Sequence, residues 1–250
     1  MSDETTKDAF HRGQFHLIQP KKGAHRAGID AMLLAACVPE NGALKIADFG
    51  AGAGAVGLAI ASRCTQAKVT LIERNQRMFN CAQESLGLKE NAHLTERVSL
   101  LATDISRLPT EDAPTNHFDW VVMNPPFNER SDRESPHADR AEAHVADDEL
   151  FEIWVKKAAT VLHAKGQIGI IARPSSLMVI LNAMDRRFGG LRMTAVHARA
   201  EDTALRVLLT GTKGSKKRLE IGPRIVLHGP TGHAFTEEAQ AIVNGATSLT

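Results

Sequence analysis

From residue 44 onward the chain alternates between short apolar runs of strand type and amphipathic runs of helix type. Strands that alternate with helices are typical of a parallel sheet covered by helices on both faces. We therefore predict a doubly wound α/β fold with a seven-stranded, mostly parallel sheet. The predicted strands are 44–49, 69–73, 98–102, 118–123, 167–172, 193–198 and 204–210, and a short eighth run lies at 224–228. Because the link between 198 and 204 is short, strands 193–198 and 204–210 are expected to pair antiparallel.

This pattern divides the chain into two parts. Residues 1–43, with a short predicted helix at 28–38, are expected to form an N-terminal segment that packs on the core, and residues 44–250 form the main domain. The predicted helices of the main domain are 55–64, 76–86, 149–162, 176–188 and 237–245. Segment 128–149 interrupts the alternation with eight acidic residues and three arginines, and we predict a mobile loop there.

The composition narrows the class of protein. The 30 Lys and Arg residues balance 29 Asp and Glu residues, which argues against a uniformly basic nucleic-acid binder. The three cysteines form no CxxC pair and the histidines are scattered, so we predict no metal site. The polar start and the lack of a long apolar run predict neither a secretion signal nor a membrane helix, and we expect a cytoplasmic protein.

A glycine-rich turn follows the first strand of the main domain. The residues Asp48-Phe49-Gly50-Ala51-Gly52-Ala53-Gly54 end that strand and open a helix, where the backbone can turn tightly and approach a ligand. The overlapping GAGAVG run also matches the dinucleotide fingerprint of nicotinamide-dependent enzymes.

Acidic residues end the next two strands. Glu73 is placed to accept the hydroxyls of a ribose, and Asp104 to accept an adenine amino group. Since the carboxyl ends of parallel strands meet at one edge of a sheet, we expect these carboxylates and the glycine turn to face one crevice.

The tetrapeptide Asn124-Pro125-Pro126-Phe127 follows the fourth strand. The prolines remove two backbone donors, so a local carbonyl and the Asn124 amide oxygen can together accept an NH2 group. Phe127 can lie against the face of a planar base. Such an arrangement suits methyl transfer to an exocyclic amine, with Asn124, Pro125, Pro126 and Phe127 as the catalytic set.

DFGAGAG, the two acidic strand ends and NPPF together resemble the class I S-adenosylmethionine-dependent methyltransferases that modify amino groups. The stretch 19–35 and the C-terminal residues 225–239 resemble the bacterial valine-tRNA adenine-N6 methyltransferase family. The resemblance implies S-adenosylmethionine on the Gly50–Gly54 loop, its ribose on Glu73 and its adenine near Asp104 and Ile105. It also implies that Asp30 covers the methionine end and that the acceptor is the N6 amine of an adenosine, most naturally in tRNA.

Four alternatives remain open at this point. NPPF is also similar to guanine-N2 rRNA methyltransferases, and the related NPPY occurs in glutamine-N5 protein methyltransferases. The GAGAVG run allows a nicotinamide-dependent oxidoreductase. A non-catalytic RNA-binding relative would keep the fold.

Two stretches of the chain are basic and contain no acidic residue, namely 11–26 and 206–218. Grouped Lys and Arg side chains of this kind supply phosphate contacts. If both stretches flank the crevice at the strand ends, they form an RNA track over the site.

Overall fold

The computed structural model describes residues 5–21, 26–125 and 137–249. Its strands are β1 (Thr5–Phe10), β2 (Phe15–Pro20), β3 (Lys45–Phe49), β4 (Lys68–Ile72), β5 (Val98–Leu101), β6 (Phe118–Met123), β7 (Leu162–Ala172), β8 (Phe188–His197), β9 (Ala204–Lys213), β10 (Glu220–Ile221) and β11 (Ile225–Val226). Its α-helices are α1 (Ile29–Ala35), α2 (Ala55–Arg63), α3 (Gln76–Leu86), α4 (His137–Val161), α5 (Leu177–Met184) and α6 (Glu237–Val243). No helix within the described ranges has both the length and the apolar character needed to span a membrane.

The main sheet has the order β10-β8-β9-β7-β6-β3-β4-β5, and β11 also pairs with β8. All of its pairings are parallel except those of β9, which runs antiparallel to both β7 and β8. The predicted doubly wound, mostly parallel α/β fold is therefore confirmed, and all seven predicted strands are present. In the described ranges the sheet contains nine strands, because β10 and β11 add two residues each at its outer side. Two residues are too few to show a periodic pattern, although β11 lies inside the predicted run 224–228.

Helix α4 begins at His137, inside the segment that we predicted as the loop 128–149. The loop prediction is therefore wrong for 137–149, while 128–136 lie outside the described residues. Residues 137–149 are rich in Ala, Glu, Asp and Arg, without apolar periodicity. Ala, Glu and Arg favour a helix through their intrinsic propensity. Apolar periodicity, on which the helix predictions are based, does not detect this preference.

Helices and the N-terminal hairpin cover the two faces of the sheet. On one face, Phe15 and Leu17 of the β1–β2 hairpin are fully buried in the same apolar cluster as α1 and α2. On the other face, α4 and α5 bury side chains such as Val155 and Ile180. The hairpin was not predicted, since residues 1–27 read as a polar start. It stabilises the fold because its alternate residues Phe15 and Leu17 face the core.

The strands also define two edges of the sheet. The carboxyl edge is where β3, β4, β5, β6, β7 and β8 end, and β9 begins there because it runs the other way. The amino edge is where the parallel strands begin and β9 ends. The register fixes this arrangement: Val207 of β9 pairs with Ala172, and Thr212 pairs with Gln167.

Candidate active site

A cavity of about 350 Å³ lies at the carboxyl edge, over the ends of β3, β4, β5 and β6. This volume is within the usual range for a small-molecule site. The side chains and backbone that line it come from seven segments of the chain. They are Gln19, Ala27, Ala31, Asp48, Gly50, Ala51, Gly52, Ala53, Ala55, Val56, Ile72, Glu73, Arg74, Asn75, Met78, Thr103, Asp104, Ile105, Asn124, Leu150 and Trp154.

The glycine turn forms the floor of the cavity. Gly50, Gly52 and Gly54 all adopt left-handed backbone, with φ of +67°, +58° and +92°, where a side chain is strained. Space forbids a side chain as well, because a Cβ added to Gly50 would lie 2.4 Å from Cη2 of Trp154. The turn is fixed to β4 by the N–H groups of Gly50 and Ala51, which both donate to the Ile72 carbonyl at 2.9 and 3.1 Å.

Glu73 is attached directly to this turn. Its side chain is buried, its Oε2 accepts the Gly52 N–H at 2.8 Å, and its Oε1 accepts the Asn75 N–H at 2.7 Å. A carboxylate oxygen can accept more than one hydrogen bond. Glu73 therefore retains acceptor capacity toward the cavity while its orientation is fixed by two backbone groups.

Asp48 lies beneath the turn and is only 1% exposed. Its Oδ2 accepts the N–H of Gly57, in the first turns of α2, at 2.9 Å. The pKa of Asp48 is raised to about 7, mainly by burial; the Gly57 hydrogen bond opposes this shift and the nearby charge of Glu73 adds to it. Asp48 is thus a carboxyl group that changes protonation near neutral pH in the cavity wall.

The pKa of Asp104 is shifted in the opposite direction to that of Asp48. Its Oδ2 accepts a hydrogen bond from Nη1 of Arg74 at 2.8 Å, and its Oδ1 caps the short 3₁₀ turn 105–107 by accepting the Ser106 N–H at 2.8 Å. The Arg74 hydrogen bond is the main reason that the pKa of Asp104 falls to about 2. Both of its oxygens have partners within the chain, and the buried side chain of Ile105 follows it in the wall.

Asn124 directly follows β6, and it lines the cavity. Its Oδ1 is buried and has no hydrogen-bond partner among the residues that the structure describes. A buried acceptor without a donor is costly, and such atoms in native proteins call for an explanation. Pro125 is buried beside it. Pro126 and Phe127 lie outside the described residues, so their predicted positions stay predictions.

The structure places Asp30 away from the cavity wall. Its Oδ2 accepts a hydrogen bond from Nε of Arg206 at 2.8 Å, and the pair is mostly buried. Its neighbours Ala27 and Ala31 line the cavity instead. Of the remaining predicted cofactor-binding positions, all but one line the cavity together, as expected for residues at the ends of parallel strands; they are Asp48, Gly50, Ala51, Gly52, Glu73, Asp104 and Ile105. Gly54 is the exception, since it is not part of the cavity wall.

Sequence reasoning missed several residues of the wall. Gln19, at the end of β2, is 2% exposed; its Oε1 accepts the Ala27 N–H at 2.7 Å and its Nε2 donates to Asp8 at 3.0 Å. Trp154 of α4 meets Phe49 edge to face at 6.5 Å and closes the other side. Met78 and Leu150 add apolar surface. The only sequence signal was that Trp154 is one of two tryptophans, and nothing in the sequence indicated that it faces this turn.

Among the described residues the two basic stretches do not both flank the cavity, so the condition for an RNA track over the site is not met. β9 runs away from the carboxyl edge, which leaves Arg206 near the cavity side and carries Lys213 to the amino edge, opposite Phe188. The turn after β9, residues 214–218, therefore lies at the far edge. The basic stretch 11–26 reaches from one edge to the other. His11, in the turn between β1 and β2, forms a hydrogen bond with Ser62 near the end of α2, whereas Gln19 lines the cavity.

Within the described residues, no group of three or more His, Cys, Asp or Glu side chains could hold a metal ion.

Comparison with known proteins agrees with this geometry. The family model for the methyltransferase small domain matches residues 24–200. A protein of Pedobacter heparinus named tRNA1(Val) (adenine(37)-N6)-methyltransferase is 28% identical over 190 residues, which are 76% of each chain. A Flavobacterium psychrophilum protein of the same name is 25% identical and covers 91% of this chain and 94% of its own. The crystal structure of a protein from Agrobacterium tumefaciens, described as a predicted O-methyltransferase, is 38% identical, covers 88% of this chain and 97% of its own, and has a TM-score of 0.75.

Proposed function

The chain belongs to the methyltransferase small domain family, and from this premise we propose that it transfers a methyl group from S-adenosylmethionine to the exocyclic N6 amine of an adenosine in tRNA. The family membership speaks against the nicotinamide-dependent alternative. The acceptor is proposed because curated relatives of Pedobacter and Flavobacterium carry that activity in their names. A tRNA acceptor would place the protein in the cytoplasm.

One observation carries the proposal, namely the Oδ1 of Asn124 in the cavity wall, which is buried and has no hydrogen-bond partner within the described part of the chain. An exocyclic amine brings two N–H donors, one of which would satisfy this oxygen. The carbonyl of Pro125, the next residue, is the natural acceptor for the other. Two acceptors would hold the amine and favour tetrahedral nitrogen, whose lone pair would form the new bond to the methyl group as the bond from that group to the donor sulfur breaks. The nitrogen would then lose one proton to solvent.

The cavity also fits the proposed cofactor. When bound, S-adenosylmethionine supplies a methyl group on a positively charged sulfur. Among the chain's own groups, Glu73 would accept hydrogen bonds from the ribose hydroxyls, and Asp104 with Ile105 would lie beside the adenine. The glycine turn lets the backbone approach closely, because a Cβ at Gly50 would collide with Trp154. The carboxylate of Glu73 gives the wall negative charge opposite a cationic ligand.

The N-terminal residues complete this site. Gln19, Ala27 and Ala31 belong to residues 1–43 and line the cavity. We therefore propose that this segment acts as a cover over the cofactor and that residues 44–250 form the catalytic domain. Asp30 would contribute indirectly, by fixing α1 through its ion pair with Arg206.

Transfer to oxygen is the second candidate, because the Agrobacterium protein at 38% identity is described as a predicted O-methyltransferase. A hydroxyl acceptor must lose its proton to a base during transfer. The amide of Asn124 cannot take up a proton, whereas it can orient an amine that attacks through its lone pair. The side chain at this position therefore favours nitrogen as the acceptor.

The experiment is incubation of the protein with S-adenosylmethionine and total RNA from a strain that lacks it, followed by mass spectrometry of the nucleosides. We expect N6-methyladenosine in the tRNA fraction. A parallel incubation with rRNA and with a release-factor-like protein covers the guanine-N2 and glutamine-N5 alternatives. Ribose or other O-methylated products, or no transfer to any RNA, would contradict the proposal.

A further inference from the structure

Basic side chains cluster at the amino edge of the sheet, on the side of the molecule opposite the cavity. Three segments meet there, namely the irregular stretch 163–166 inside β7, the turn 185–187 before β8 and the turn 214–218 after β9. Backbone hydrogen bonds join two of them: the Gly214 N–H donates to the Arg187 carbonyl at 2.9 Å, and the Gly190 N–H to the Lys217 carbonyl at 2.8 Å. The pairing of Gln167 with Thr212 brings the third alongside. We call this surface the amino-edge patch.

The exposed cations of the patch outnumber its acids. They are Lys165, Arg186, Lys216, Lys217 and Arg218, all exposed, against the exposed acids Asp185 and Glu220. The Arg186 side chain is 3.6 Å from that of Asp185, but the side chains of the other four cations form no hydrogen bond or ion pair among the described residues. Lys213 is different, because its Nζ donates to the Leu162 carbonyl at 2.6 Å and to Asn116 at 3.1 Å. It connects the end of β9 to the start of β7 and to the segment before β6.

Two of these cations stand at backbone positions that disfavour a lysine or an arginine. Lys165 and Arg186 have φ of +66° and +60°, the left-handed region in which a residue with a side chain is strained. Glycine or asparagine would fit both positions with less strain. Strain that persists in a turn points to a role for the side chain itself.

We infer that the amino-edge patch binds the phosphate backbone of the RNA substrate at a part of the molecule remote from the methylated base. This inference rests on the proposed function. Unpaired Lys and Arg side chains on one surface are complementary to a polyphosphate chain. The ten residues of β9 separate the two edges by about 30 Å at roughly 3.3 Å per residue. A stem–loop shorter than that distance cannot reach the patch from the cavity, whereas a folded tRNA can contact both.

The test compares two substrates: full-length tRNA and a short stem–loop from it that carries the target adenosine. The variant is the charge reversal Lys216→Glu, Lys217→Glu and Arg218→Glu. We expect the KM for tRNA to rise about tenfold or more, and the dependence of log affinity on log salt to flatten by about one per lost phosphate contact. The KM for the stem–loop and the binding of S-adenosylmethionine should not change.

Lys89→Glu is the matched control, since Lys89 is an exposed lysine just before β5, at the other end of the sheet. This variant should leave the KM for tRNA and the KM for the stem–loop unchanged. Lys217→Glu alone and Lys165→Ala serve if the triple variant unfolds, which thermal denaturation will show. Each should raise the KM for tRNA only.

An unchanged KM for tRNA, or an equal loss for tRNA and stem–loop, would overturn the inference. An acidic protein or an anionic membrane as the true partner would give the first of these results. Failure of the proposed function gives a different pattern, because the wild type would then methylate neither RNA. Fluorescence anisotropy with labelled tRNA still measures the patch in that case, and the triple variant must bind more weakly than the wild type.

Discussion

Replacement of Asp48 by asparagine is expected to make the protein's stability less dependent on pH. Asp48 is 1% exposed, and burial raises its pKa from 3.8 in the unfolded chain to about 7 in the folded protein. A carboxyl group with a raised pKa binds its proton more tightly in the folded state. Its ionisation therefore destabilises the folded state, and the free energy of unfolding falls as the pH rises from about 4 to about 7.

The size of the effect follows from the shift. A difference of about 3 pKa units at 1.36 kcal/mol each gives about 4 kcal/mol as an upper estimate, of which about 3 kcal/mol is lost between pH 5 and pH 8. In Asp48→Asn the amide is neutral in both states, and its oxygen can still accept the Gly57 N–H. The free energy of unfolding of the variant should match that of the wild type near pH 4 and exceed it by up to about 4 kcal/mol at pH 8.

Urea denaturation at pH 5, 6, 7 and 8, without cofactor, measures the difference. Asp104→Asn is an opposite-sign control. Arg74 lowers the pKa of Asp104 to about 2, so its charge stabilises the folded state above the unfolded pKa, and the variant should lose stability there. If the wild type and Asp48→Asn show the same dependence on pH, Asp48 is not held at a raised pKa and the reasoning is refuted.

Two further substitutions test the cavity wall. Gly50→Ala should lower the free energy of unfolding by about 2 to 4 kcal/mol in thermal denaturation, through left-handed strain and the collision with Trp154. Gly214→Ala shares the left-handed φ, at +71°, but meets nothing within 4 Å, so it should cost only about 1 kcal/mol; equal losses would discount the collision. Glu73→Gln should weaken S-adenosylmethionine binding by about tenfold or more in calorimetry, because an NH2 group replaces one acceptor oxygen. Unchanged affinity would remove Glu73 from the proposed ribose site.

The wall residues at the strand ends could be predicted from the sequence, whereas the wall residues that come from the N-terminal hairpin and from α4 could not. Glu73, Asp104 and Asn124 each follow a buried strand, and parallel strands bring such positions to one edge. Gln19 and Trp154 reach the cavity from elements whose placement depends on tertiary packing. No pattern in the neighbouring sequence indicates that the β1–β2 hairpin reaches the cavity or which side of α4 faces Gly50.

The basic stretch 206–218 shows a different limit. Its charge was evident in the sequence, but its location depends on the direction of β9. The expected antiparallel pairing of this strand already implied that its end lies at the amino edge. Grouped charge thus indicated a basic surface, while the strand direction decides which side of the molecule carries it.

The central claim is that the Asn124 oxygen holds the acceptor amine. The most direct measurement is the rate of methyl transfer to tRNA by Asn124→Ala in a single turnover, with RNA and S-adenosylmethionine both saturating. We predict a loss of about a hundredfold or more, comparable to removal of one aligned hydrogen-bonding group from an active site, with cofactor affinity unchanged. A transfer rate equal to that of the wild type would contradict the account.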